Sequence, residues 1–132
     1  VLGLIDAGLG RKEEALREGR RAIELLPVEK DSINGAHMIE YFAIIAAWVG
    51  EKDLAIEQLA IAIRLPGLGC TSYGALKLLP YWDPLRGDPR FEQIVASLAP
   101  KDRERTGIAP TKPIWLPNTD SQARSLRYLL RC

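Results

Sequence analysis

The 132-residue sequence predicts an all-α fold built from antiparallel helical hairpins. Three observations predict it. Sliding the chain by 40 residues aligns Leu2–Pro27 with Phe42–Gly67, and eight of the 26 aligned positions are identical. Within each copy apolar residues recur at helical spacing. Glycines, prolines and carboxylates stand where helices have to stop and start.

The elements follow in chain order. Two hairpins are expected, over about residues 1–27 and 31–66. Gly10 and Gly50 end the first helix of each copy, because glycine takes the left-handed conformation at low cost. The charged stretches Arg11-Lys12-Glu13-Glu14 and Glu51-Lys52-Asp53 come next, and acidic residues there favour a helix N-terminus. Second helices carry Ala15, Leu16, Ala22, Ile23 and Leu26 in one copy, and Ala55, Ile56, Leu59, Ala62 and Ile63 in the other. The alanines Ala15, Ala22, Ala55 and Ala62 are small enough for close helix contacts, where burial is expected. Pro27 and Pro66 close the second helices.

Residues 67–99 read as a capping unit. Thr71 or Ser72 can cap a short helix ending near Leu79-Pro80. The Asp83-Pro84 and Asp88-Pro89 steps each place a capping carboxylate before a proline at the first helical position. The second step opens a helix with the apolar set Phe91, Ile94, Val95 and Leu98. Trp82 and Phe91 are expected to plug the open end, with Arg86 and Arg90 solvated. Residues 100–119 read as a linker, and residues 120–132 as a C-terminal amphipathic helix capped by Asp120. On it Ala123, Leu126 and Leu130 share one face, with Arg124, Arg127 and Arg131 on another.

The pattern resembles the tetratricopeptide repeat, whose signature runs W-x2-L-G-x2-Y, then A-x3-F, A and P. The first copy supplies Leu2-Gly3, Ala15, Ala22 and Pro27, with Gly19 where an aromatic belongs. The second supplies Ala55, Leu59 and Ala62, with Pro66 one residue early. The period is 40, against about 34 in the family, which places an insertion of about six residues within Val28–Gly35. The runs Leu26–Asp31, Trp48–Asp53 and Trp82–Phe91 are similar to the C-terminal tetratricopeptide segment of certain large bacterial signalling proteins. There the repeats follow a Ser/Thr kinase, a nucleotide cyclase or a winged-helix regulator domain. The resemblance covers residues 1–99 and implies a short right-handed solenoid acting as an interaction module. It brings no catalytic residue.

Composition narrows the function classes. The apolar run Phe42–Val49 has eight residues, whereas a membrane span needs roughly 20. No signal peptide is apparent, and the chain opens on Val1 without a Met, so a fragment of a longer protein is one expectation. A net charge of +1 argues against gross nucleic-acid binding. Residues 101–132 nevertheless carry seven Lys/Arg against three Asp/Glu, while residues 1–100 carry eleven against fourteen. Cys70 and Cys132 make no disulfide framework and suit two free thiols in a reducing cytoplasm.

His37 and Glu40, three apart on one helix, have the spacing of two metal ligands. No third ligand accompanies them, so no metal and no cofactor is expected. Phosphate loops, CxxC pairs and nucleophile elbows are absent from the sequence. By analogy with tetratricopeptide proteins, Leu4, Ala7, His37, Glu40, Tyr41, Ile44 and Trp48 line a partner-binding groove. The triplet Ile114-Trp115-Leu116, held between Pro113 and Pro117, is expected to dock with Leu126 and Leu130 on the repeat body.

The function expected is therefore a non-catalytic, cytoplasmic protein–protein interaction module, its partner a protein or peptide or a second copy of the chain. The alternatives are a small ligand-binding protein or enzyme with a pocket between hairpins and tail, and a nucleic-acid accessory protein using the basic tail.

Overall fold

In a computed structural model, residues 1–65 and 71–100 are described. They are helical, with no strand among them. The helices are α1 (Leu2–Gly8), α2 (Lys12–Leu25), α3 (Ser32–Trp48), α4 (Lys52–Ala62), α5 (Tyr73–Leu78) and α6 (Pro89–Ser97), with a 3-10 helix over Pro80–Leu85 before α6. None is long and apolar enough to cross a membrane.

The two hairpin turns share one construction. Gly10 and Gly50 have φ of 75° and 84°. After α1, the Gly10 N–H donates to the Ala7 carbonyl (3.1 Å) and the Arg11 N–H to the Asp6 carbonyl (2.8 Å). After α3, the Gly50 N–H donates to Ala47 (3.2 Å) and the Glu51 N–H to Ala46 (2.9 Å). Each is a Schellman ending, which satisfies carbonyls the helix leaves open. Two residues beyond each glycine, α2 and α4 begin. α6 also begins two residues after a glycine of positive φ, Gly87 at 82°.

The other starts use side chains. The Asp31 carboxylate accepts from the Ile33 and Asn34 N–H groups at 3.1 and 2.9 Å. Ser72 Oγ accepts from the Ala75 N–H at 3.2 Å, and the Asp88 carboxylate from the Arg90 N–H at 2.9 Å. Asp31 also sets the length of the connection. Only Val28–Asp31 lie between α2 and α3 beyond Leu26 and Pro27, because the cap commits Ser32 onward to helix.

α3 is the central element, in contact with α1, α2, α4 and the 3-10 helix. Its residues Phe42–Ala47 are all buried. Around it collect Ala15, Leu16, Ala55, Ile56 and Leu59, then Leu76, Trp82, Leu85, Phe91 and Val95 from the capping segment. Gly19 of α2 is buried against α3, where a β-carbon would meet the Phe42 ring. Ala15, Ala55 and Ala62 are buried as expected. Ala22 is only half-buried, because seven-residue α1 pairs with no more than the first half of fourteen-residue α2.

Trp82 and Phe91 are buried with their rings 6.4 Å apart. The Asp83-Pro84 step does not open a helix as expected. The 3-10 helix starts at Pro80, where the missing N–H costs nothing, and Pro84 lies inside it. Arg86 and Arg90 are not simply solvated. Arg86 Nε donates to Asp83 at 2.6 Å, and Arg90 reaches Asp88 at 2.9 Å and Asp53 of α4 at 2.7 Å. Lys12 pairs with Glu51 between the two hairpin turns. Val1–Pro100 form one compact unit. Pro66, Cys70, Cys132, the expected linker beyond Pro100 and the expected C-terminal helix, with Ile114, Trp115, Leu116, Leu126 and Leu130, lie outside the described residues.

Candidate functional site

The residues expected to meet a partner lie mostly along α3. At 100° per residue, His37, Tyr41, Ile44 and Trp48 fall within one narrow sector of its surface. Their surroundings differ. Tyr41 and Trp48 are exposed at 38% and 39%, His37 is half-buried, and Ile44 is buried at 3%. Glu40 at one side of the sector is also buried, at 3%. Leu4 is half-buried and Ala7 buried on α1, both packed with the core. Ala7, Glu40 and Ile44 are thus buried, while His37, Tyr41 and Trp48 reach solvent at least in part.

Polar and ring contacts link three of these residues. His37 Nδ1 lies 3.5 Å from Glu40 Oε2. The His37 ring stacks on Tyr41 at 6.2 Å and 23° between planes. One helical turn therefore carries a carboxylate, an imidazole and a phenol in series, with the acid innermost. Among the described residues no group of three or more His, Cys, Asp or Glu could hold a metal ion.

Tyr81, from the 3-10 helix, extends the row. Its ring lies 6.1 Å from that of Trp48, tilted by 44°, and it is 41% exposed. Trp48 Nε1–H donates to the Tyr81 carbonyl at 3.1 Å. Proline spacing explains why that carbonyl accepts a side chain. In a 3-10 helix the N–H three residues on would take it, and three residues on stands Pro84, which has no N–H. Pro84 thereby leaves an acceptor open, and Trp48 fills it. Sequence reasoning did not find Tyr81. The available signal was the pair Pro80 and Pro84, which brackets a carbonyl without an intrahelical donor.

Electrostatics are concentrated elsewhere, at the starts of α2, α4 and α6. Hydrogen bonds from the Arg90 side chain and backbone hold the Asp88 carboxyl down at about 2. Asp88 and Asp53 together raise Arg90 above its ordinary value. Glu51 raises Lys12, chiefly through their hydrogen bond. Lys12, Asp53 and Arg90 are exposed while Glu51 and Asp88 are half-buried, and the pairs Lys12–Glu51 and Arg90–Asp53 tie neighbouring helices. A second exposed apolar surface runs along α1, through Leu2, Ile5 and Leu9.

Comparison with protein-family profiles, curated proteins and solved structures returns no match.

Proposed function

We propose that the chain is a tetratricopeptide-like interaction module that holds a peptide or a partner helix against the α3 face and has no catalytic role. The observation that carries this reading is the row Tyr41, Trp48 and Tyr81. Its three aromatic side chains are each about two-fifths exposed, and the α3 stretch between Tyr41 and Trp48 is buried. Exposed aromatic rings on a rigid support are the side chains that dominate binding energy at protein interfaces. They lose little conformational freedom on contact, because Trp48 is already fixed by its bond to the Tyr81 carbonyl.

The shared construction of the turns at Gly10 and Gly50 supports stacked hairpins as the scaffold for such a face. The resemblance to bacterial signalling proteins supports a cytoplasmic setting and a scaffolding role.

The test is selection of peptides from a displayed library on the immobilised full-length chain, followed by titration of the selected peptides. Tyr41→Ala and Tyr81→Ala should each weaken binding by roughly tenfold or more while leaving the helical circular dichroism intact. Peptides that bind both variants as well as the parent would overturn the assignment of this face.

A further inference from the structure

The dipeptide Asn34–Gly35 lies in the first turn of α3. Asparagine followed by glycine is the sequence in which the side-chain amide is most open to attack by the next backbone nitrogen, because glycine presents no β-carbon. We propose that Asn34–Gly35 is a covalent modification site, a deamidation site that the capped turn keeps closed, and whose reaction, once complete, holds the turn open.

Three contacts close it. The Gly35 N–H, whose nitrogen would be the nucleophile, donates to the Asp31 carbonyl at 2.8 Å. The Asn34 side-chain amide, the group to be attacked, donates through Nδ2 to Asp31 Oδ2 at 2.7 Å. The Asn34 backbone N–H is bound to the other oxygen of the same carboxylate at 2.9 Å. Asp31 therefore restrains both reacting groups, and helical torsions keep the Gly35 nitrogen away from the Asn34 side-chain carbon. Gly35 is also buried, which keeps out the base that must remove its proton.

When the turn opens, the Gly35 nitrogen gives its proton to solvent base and forms a bond to the Asn34 side-chain carbonyl carbon. The protonated base returns a proton to the side-chain amide nitrogen, its C–N bond breaks and ammonia leaves. The resulting succinimide takes up one water. Hydrolysis at one carbonyl gives an ordinary aspartate in place of Asn34, and at the other gives isoaspartate, in which the main chain runs through the former side chain.

Neither product refits the turn. The aspartate sets a carboxylate oxygen where an N–H donor faced Asp31, so two anions meet in place of a hydrogen bond. Isoaspartate lengthens the main chain by one carbon at a place without room. A β-carbon at Gly35 would already lie 2.7 Å from Val28 Cα and 2.8 Å from its nitrogen. The Asn34 hydrogen bond is the main reason Asp31 titrates below the ordinary carboxylate range. The amide that the reaction removes therefore stabilises the Asp31 carboxylate beside the two backbone N–H groups it accepts from. The inference is independent of any partner.

The experiment incubates the full chain at mildly alkaline pH, native and in urea, and follows the peptide containing residues 32–40 by mass spectrometry. Native protein should convert on the order of tenfold or more slowly than unfolded protein, since reaction must wait for local opening. Asp31→Ala should convert roughly fivefold faster than native, the effect of a lost cap on the open population. If Asp31→Ala proves unfolded by circular dichroism, the native-to-urea ratio still decides. Equal rates in native and unfolded protein would overturn the closed site. Asn34→Asp should show faster amide hydrogen exchange over the first turn of α3. Exchange unchanged from the parent would overturn the claim that the product holds the turn open.

Discussion

A β-carbon added at Gly19 would lie 3.0 Å from Phe42 Cε2 and closer still to Cδ2. Phe42 is buried, so its ring cannot swing into solvent to make room. Gly19→Ala is therefore expected to destabilise by about 1–3 kcal/mol through overpacking. Set against the roughly 1 kcal/mol that alanine gains over glycine inside a helix, the net change is a loss of up to about 2 kcal/mol. Gly8 and Gly74 have nothing within 4 Å of such a carbon. There the same substitution should be neutral or stabilising by up to about 1 kcal/mol. Urea denaturation of the three variants checks the contrast, and equal shifts would show that the α2–α3 contact is looser than described. Ala55, fully buried, should respond to leucine as Gly19 does to alanine, with a loss of about 1–3 kcal/mol. Half-buried Ala22 should tolerate it. The sequence grouped Ala22 with Ala62 as equivalents because their positions match at the 40-residue offset, yet Ala62 is buried and Ala22 is not. It could not show that α1 is too short to cover Ala22.

Helix ends were the most readable part of the chain. Gly10, Gly50, Ser72 and Asp88 mark boundaries in the sequence because each supplies a local hydrogen-bonding or torsional need that involves few other residues. Asp83-Pro84 has the same letters as Asp88-Pro89 but follows closely on Pro80, so the turn is already under way. At Gly50, alanine would be forced to φ near 84°, a conformation that costs about 1–2 kcal/mol outside glycine. Gly50→Ala should lower the urea midpoint correspondingly, whereas Gly8→Ala should not. The α6 start adds a pH dependence. Asp88 titrates at about 2 in the fold against 3.8 in the open chain, so between these values the unfolded state binds more protons. Its contribution is full above the open-chain value of 3.8 and is lost as pH falls through about 2. Asp88→Asn should therefore show a shallower fall in melting temperature over that interval than the parent. Matching acid profiles would mean that the Arg90 pairing does not persist in solution.

α3 shows why the architecture was more legible than the site. From Ile39 to Trp48 it is apolar on every side except at Glu40 and Tyr41, so no polar stripe tells one face from another. A helix of that kind belongs in the middle of a fold, and its contacts with α1, α2, α4 and the 3-10 helix place it there. Analogy with tetratricopeptide proteins put His37, Glu40, Tyr41, Ile44 and Trp48 on or near one face. It could not show that Ile44 is covered while its neighbours are open, nor that Tyr81 would join them from 33 residues away. A central helix should also be the last to open. Native-state hydrogen exchange is expected to give the strongest protection in α3 and the weakest in α1, which is seven residues long and exposes Leu2 and Ile5. Equal protection in the two would show that stability is shared evenly and that α3 has no special place.

The bond between Trp48 and the Tyr81 carbonyl has an optical consequence. Trp48 is 39% exposed, whereas Trp82, in the same compact unit, is fully buried. In a Trp115→Phe background the protein then holds two indoles with separate emission, one reddened by water and the other blue-shifted by the interior. A soluble quencher should reach the first and spare the second. Occupation of the α3 face would shield only the red component, while unfolding would redden the blue one. One spectrum thereby separates a chain that has bound something from a chain that has come apart.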